Sequence, residues 1–167
     1  MWKLSLIHIF RNIRIMGDKV LEKTCRPVEE MTPKIAELIR DMLETMYDKM
    51  GVGLAAPQVG ILKRIVVIDV GDEHGPYIMI NPRILETSGE QTGEEGCLSL
   101  PGKFGIVTRP NFVKAEALDL DMQPYVIEGE GLLARAICHE CDHLDGNMYV
   151  RLVEGELHSA DEDWEEE

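Results

Sequence analysis

The stretch Gly131-Leu132-Leu133-Ala134-Arg135-Ala136-Ile137-Cys138-His139-Glu140-Cys141-Asp142-His143-Leu144 governs how the rest of this chain is read. Its length and apolar content predict a helix from about Gly131 to Leu144, with Gly146 as a natural stop. At 3.6 residues per turn, His139 and His143 fall about 40° apart on one face, one turn above the other. Two imidazoles so placed can share a metal ion. Glu140, about 100° round from His139, can reach a water beside that ion. An H-E-x-x-H match arises by accident in ~2% of chains this long. An accidental match would sit on a solvated charged face. Here the preceding residues are mostly apolar, so His139, Glu140, Asp142 and His143 need partners inside the protein.

A catalytic metal site needs a third protein ligand and one open position. The cysteines, His8, His74, His158 and the acids are all candidates. Cys97 stands out, because Gly93-Glu94-Glu95-Gly96-Cys97-Leu98-Ser99-Leu100-Pro101-Gly102 sets it among glycines that let backbone approach a bound group. The competing reading is a small buried hydrophobe in a strand. A second glycine-rich run, Gly51-Val52-Gly53-Leu54-Ala55-Ala56-Pro57-Gln58-Val59-Gly60, suits close backbone packing or a ligand lying along the chain. It lacks the Gly-Lys-Ser/Thr ending of a phosphate loop. Gln58 offers an amide that can donate to an oxyanion, or it is a glutamine at the edge of the core.

The four cysteines are Cys25, Cys97, Cys138 and Cys141, and no secretory signal with a cleavage pattern precedes them, which argues against a disulfide framework. Cys138-x-x-Cys141 has no second pair and no thioredoxin-like strand before it. Cys141 points about 160–200° away from the histidines and reads as core. Cys138 borders the metal face and reads as core or pocket wall.

Outward from these motifs the chain is regular. Thr32-Pro33 followed by Ile35, Leu38, Ile39, Met42, Leu43 and Met46 predicts a capped amphipathic helix ending near Gly51. Arg64–Val70 reads as a buried strand, Gly71–Pro76 as a turn holding a solvated His74, and Tyr77–Ile80 as the next strand. Val113–Ala117 and Tyr125–Ile127 are two more, joined through Asp121–Pro124. Helix, antiparallel strands, then helix is an α+β order. With 167 residues and 44% apolar content, one domain over residues 11–155 is expected. Residues 1–10 are apolar but too short to span a bilayer, and read as an extension or sequence scar. Residues 156–167 read as a solvated acidic tail. Seventeen basic against 31 acidic residues argue against a phosphate-tracking surface, so stable nucleic-acid binding is not expected; no other segment could be transmembrane, so no membrane insertion and a cytoplasmic location are expected.

Three segments taken together, Gly51–Gln58 (GVGLAAPQ), Glu95–Ser99 (EGCLS) and His139–Gly146 (HECDHLDG), resemble in order and spacing the three signature motifs of the peptide deformylases. The resemblance runs from about Ile13 to Val153. It implies a deformylase-like α+β fold, with antiparallel β-sheets packed around a central helix carrying H-E-x-x-H. It implies a bacterial or organellar metallo-hydrolase that removes the formyl group from N-formylmethionine on new polypeptides, giving formate and a free amino terminus. By the same resemblance Cys97, His139 and His143 bind one divalent ion. That ion is Fe(II) in vivo, with zinc, nickel or cobalt able to replace it in a preparation; ligand chemistry alone would suggest zinc.

The resemblance further makes Glu140 the general acid–base, and makes the Gln58 amide and the Leu98 N–H the donors to the oxyanion. Val52, Leu132, Arg135 (through its stem) and Ala136 would line the methionine pocket. The backbones of Gly53 and Gly96 would pair with the extended substrate. Glu95 is expected to pair with Arg109, the alternative being two unrelated surface charges. Some relatives dock on the ribosome through a basic C-terminal helix; this acidic end leaves only a transient contact to expect. Two other readings of the same helix are a zinc peptidase and a metal-stabilised binding module.

Overall fold

In the computed structural model the described residues are 10–160; residues 1–9 of the expected extension and 161–167 of the expected tail lie outside them. Helix α1 (Pro33–Asp48) opens as its sequence dictates. The Thr32 hydroxyl accepts the Ile35 N–H at 3.2 Å, and Pro33 takes the first helical position, where no N–H is needed. Its apolar stripe Ile35, Leu38, Ile39, Met42 and Met46 is buried. The same helix buries Asp41, which pairs with Arg11 at 2.9 Å, and Thr45, whose hydroxyl accepts the Arg11 N–H at 2.9 Å.

Five strands form one antiparallel sheet: β1 (Gly53–Ala55), β2 (Ile65–Ile68), β3 (Tyr77–Ser88), β6 (Phe112–Leu118) and β7 (Pro124–Glu130), paired in that order. A second sheet, in the order β4–β5–β8, holds β4 (Gln91–Cys97), β5 (Leu100–Arg109) and β8 (Glu154–Ser159). Alternation along β2 explains the layering. Ile65 and Val67 face the core shared with α1, and Val66 and Ile68 face the core shared with helix α2 (Leu132–Leu144). The first sheet therefore lies between the two helices. All four β2 side chains are fully buried, which is why this strand reads as an unbroken apolar run.

Helix α2 is buried along most of its length, from Leu133 to Leu144, with only Asp142 breaking the run. Leu132, by contrast, is half-exposed at its start. Ala134, Ile137 and Leu144 pack into the core against Val66, Ile68 and Met79. Burying each large aliphatic side chain of this kind stabilises the fold by about 1.5–3 kcal/mol. Gly146 ends the helix with φ 79°, and a side chain there would meet the Glu22 carbonyl at 2.5 Å. Both the backbone conformation and the close approach require glycine.

The sequence reading needs two corrections. Residues 156–159, assigned to the acidic tail, belong to β8, which pairs Lys103 with Ser159 and Phe104 with His158. Side-chain contacts with neighbouring strands support it: Thr108 Oγ1 donates to Glu154 at 2.8 Å, His158 Nε2 sits 2.8 Å from Glu94, and Lys103 Nζ donates to Ser159 at 2.7 Å. Strands β4 and β5 were also not foreseen. Their glycines and charges hide the alternation, and the pairing of Gln91–Glu95 with Gly105–Arg109 supplies what local propensity does not.

Candidate active site

Strand β4 and helix α2 bring the motif residues together. Cys97 and Leu100 are directly paired across the β4–β5 hairpin, so Leu98 and Ser99 form its turn and Cys97 stands at its rim. From there the Cys97 sulfur lies 3.4 Å from His143 Nε2, and ligand atoms of Cys97, His139 and His143 all fall within 4.8 Å of one another. The two imidazoles, one turn apart on α2, have ring centroids 5.0 Å apart and planes inclined at 71°. One sulfur and two imidazoles in such a cluster are a donor set that zinc and other divalent transition metals accept.

The surrounding charges favour a cation at this point. Burial disfavours charge on His139, yet the Glu140 charge and hydrogen bonds to Cys97 and Glu95 push its proton affinity well up. Burial and the charge on His139 push His143 down to about 3, which keeps that ring a neutral donor. A metal bound at His139 would displace that proton, because histidine ligates only as the neutral ring.

Glu95 frames His139. One carboxylate oxygen lies 2.7 Å from His139 Nδ1 and accepts from Arg109 Nη2 at 2.7 Å; the other accepts from Arg109 Nε at 3.2 Å and Arg135 Nη1 at 2.9 Å. Burial pushes the Glu95 carboxyl up, but hydrogen bonds from His139 and Arg109 and their charges overcome it and hold it at about 2. Arg109 also donates to Asp142 at 2.7 Å. The Glu95–Arg109 pair is therefore a buried, charge-assisted contact and not two surface charges.

Glu140 is buried, and its Oε1 has no hydrogen-bond partner among the described residues; His143 Nδ1 is likewise unpartnered. Burial raises the Glu140 carboxyl to about 7. A side chain on Gly53 would meet Glu140 Oε2 at 2.5 Å, so glycine in β1 makes the space this carboxylate occupies. Gln58 sits on the 3-10 turn Ala56–Val59 directly after β1. Its carbonyl oxygen accepts the Ala55 N–H at 3.0 Å, which turns its amide toward the Ser99 hydroxyl at 3.1 Å and the Cys97 sulfur at 3.5 Å.

These groups border a cavity of about 870 Å³, and all six residues expected to contact substrate line it: Val52, Gly53, Gly96, Leu132, Arg135 and Ala136. Leu98, Gln58, Cys97, His139 and Glu140 line it as well. The alternative ligand candidates lie elsewhere. Cys138 and Cys141 are buried in the core, where burial pushes them to about 11 and about 12. His74 stacks on Tyr77 with centroids 3.8 Å apart, and His158 pairs with Glu94; His8 lies outside the described residues. Three contributors went unread in the sequence: Ser99 as a partner of Gln58, Asp142 as a partner of Arg109, and the guanidinium of Arg135. The last had a signal, a cation four residues before His139 on an otherwise apolar helix.

Comparison with known proteins agrees with this fold. The polypeptide deformylase family model matches residues 10–156. A peptide deformylase of Lachnoclostridium phytofermentans is 67% identical over 160 residues, spanning 93% of this chain and 98% of its own. One of Agathobacter rectalis is 69% identical over 150 residues, spanning 90% of this chain and 94% of its own. Among solved structures, the peptide deformylase from Thermotoga maritima superposes with a TM-score of 0.85 at 41% identity, covering 89% of this chain and 100% of that one. The Synechococcus elongatus enzyme in complex with actinonin gives 0.84 at 42% identity, covering 87% of this chain and 81% of that one.

Proposed function

The chain belongs to the polypeptide deformylase family, and from that premise we propose how its own residues divide the work. It is a metal-dependent hydrolase that removes the N-formyl group from N-formylmethionyl nascent polypeptides, giving formate and a free N-terminal methionine. The catalytic unit is one domain, the expected residues 11–155 extended by β8 to Ser159. Cys97, His139 and His143 hold one divalent metal ion. That ion is Fe(II) in the cell, and zinc, nickel or cobalt can stand in its place. When bound, it supplies Lewis acidity, acidifying water and polarising a carbonyl.

The remaining work falls to the protein. Glu140 takes the proton of the attacking water as the new carbon–oxygen bond forms, then delivers it to the amine nitrogen as the carbon–nitrogen bond breaks. Its proton affinity, raised by burial to about 7, suits a group that must both accept and give near neutral pH. The formyl oxygen gains charge in this step, and the Gln58 amide and the Leu98 N–H receive it. Donors of this kind are each worth roughly 10²–10³ in rate. Val52, Leu132, Ala136 and the stem of Arg135 hold the methionine side chain, and the Gly53 and Gly96 backbones align the peptide as an added strand. Formyl is the smallest acyl group, so a tight slot rejects acetyl by clash.

The observation that carries this reading is the meeting of ligand atoms of Cys97, His139 and His143 within 4.8 Å, beside the cavity that Cys97, His139 and Glu140 line. Formate release from formyl-Met-Ala-Ser, measured beside amine release from Met-Ala-Ser, tests it. Formate from the formyl peptide and no new amine from Met-Ala-Ser are expected; amine release from Met-Ala-Ser would favour the peptidase reading. Displacement by a hydroxamate is expected too, whereas a closed metal-stabilised module would refuse one. Among the described residues no helix is long and apolar enough to cross a membrane. We take the enzyme to act in the cytoplasm on chains at the ribosome. Any contact there is transient, because a chain of net charge −14 is repelled by nucleic-acid phosphates.

A further inference from the structure

We infer that Arg135 is a positioning residue for the metal centre: its guanidinium fixes Glu95, and through Glu95 it fixes the ring of His139. The inference rests on the ligand assignment proposed above. Arg135 lies one turn before His139 on α2, so the two side chains share a face. Its Nη1 donates both to Glu95 Oε1 at 2.9 Å and to the Val107 carbonyl at 3.1 Å. Val107 is a fully buried residue of β5. The guanidinium therefore ties helix, strand and carboxylate at one point.

Glu95 has two donors on each oxygen. It cannot swing away from His139 without breaking a charge-assisted bond. Arg109 holds both Glu95 oxygens but is not their only cationic donor. It divides its donors between Glu95 and Asp142, whose partly exposed carboxylate is also 3.4 Å from Arg151. Arg135 is anchored instead in the buried β5 backbone. With Glu95 fixed, His139 Nδ1 is held and Nε2 is presented to the ligand cluster.

Arg135 also lines the cavity, so the obvious alternative is a pocket wall and nothing more. A pocket wall would alter KM and leave metal retention untouched. Removing an outer partner of a metal-bound histidine typically costs 10–100-fold in metal affinity or activity. Arg135 acts one bond further out, so about tenfold is expected.

The test is chelator-driven release of zinc from the zinc-loaded full chain, followed in wild type, Arg135→Met and Arg135→Lys. Met keeps an apolar stem of similar length without a donor; Lys restores one charged donor. About tenfold faster release is expected from Arg135→Met, with Arg135→Lys between it and wild type. Release from Arg135→Met at the wild-type rate would overturn the inference, as would Lys and Met variants that release equally fast. Should the Met variant not fold, Arg135→Gln takes its place; faster release is expected, and a wild-type rate overturns. Failure of wild type to take up zinc would count against the ligand assignment itself. Stoichiometric uptake with unchanged release in the variants would count against Arg135 alone.

Discussion

Gly53→Ala places one methyl group against the proposed general base. An ideal Cβ at Gly53 would lie 2.5 Å from Glu140 Oε2 and 3.0 Å from both its Cδ and Cγ. Contacts that short do not persist, so either β1 or the Glu140 side chain must move. β1 is held by pairing of Gly53, Leu54 and Ala55 with Ile68, Val67 and Val66, and its Leu54 and Ala55 are fully buried. The carboxylate, with one unpartnered oxygen, yields first. Overpacking of this kind costs about 1–3 kcal/mol of stability. In a chain this size that lowers Tm by roughly 2–4 °C per kcal/mol.

The loss in rate should be larger. A catalytic group misplaced by ~1 Å costs ~10²-fold, or about 2.7 kcal/mol at 1.36 kcal/mol per tenfold. Formate release from formyl-Met-Ala-Ser should therefore fall ~10²-fold in kcat, with metal content per chain unchanged. Gly93→Ala is the control, because a Cβ there has only an ordinary 3.7 Å contact with Arg135 Nη2. A Gly53→Ala enzyme with wild-type kcat and full metal would refute the placement of Glu140 as the base.

Glu140→Ala should keep its bound metal and lose formate release by ~10²–10⁴-fold; retained activity would remove Glu140 from the acid–base role. Cys97→Ser should lower or change metal occupancy, measured by elemental analysis after equal loading; unchanged content would move the third ligand elsewhere. Thiol reactivity should divide by burial. Burial pushes Cys25 up to about 11, so its nucleophilic thiolate is scarce below about pH 10. Alkylation mapped on the folded, metal-free protein at pH 8 should mark Cys97 and spare Cys25, and equal labelling would contradict the buried core around Cys25.

What could be read from the sequence follows from how local each feature is. Helix α1 and its cap, the buried run of β2, and the H-E-x-x-H face of α2 are set by residues within one or two turns of each other. Pattern alone therefore exposes them. The hairpin of β4 and β5 is different. Gln91-Thr92-Gly93-Glu94-Glu95-Gly96-Cys97 carries neither β-branched density nor clean alternation, and its register comes from a partner strand. β8 is hidden for the same reason, since Glu154, His158 and Ser159 find Thr108, Glu94 and Lys103 only in three dimensions. The site divides in the same way. Histidine spacing revealed two candidate ligands, and glycine flanks pointed to a third. The fourfold grip on Glu95 joins Glu95, Arg109, Arg135 and His139 from three elements, which spacing along one segment cannot express.

X-ray absorption at the metal edge of the zinc-loaded protein addresses the central claim most directly. The expected environment is one sulfur at ~2.3 Å and two imidazole nitrogens at ~2.0–2.1 Å, with the sulfur lost in Cys97→Ser. A spectrum without a sulfur neighbour, or one unchanged by Cys97→Ser, would contradict it.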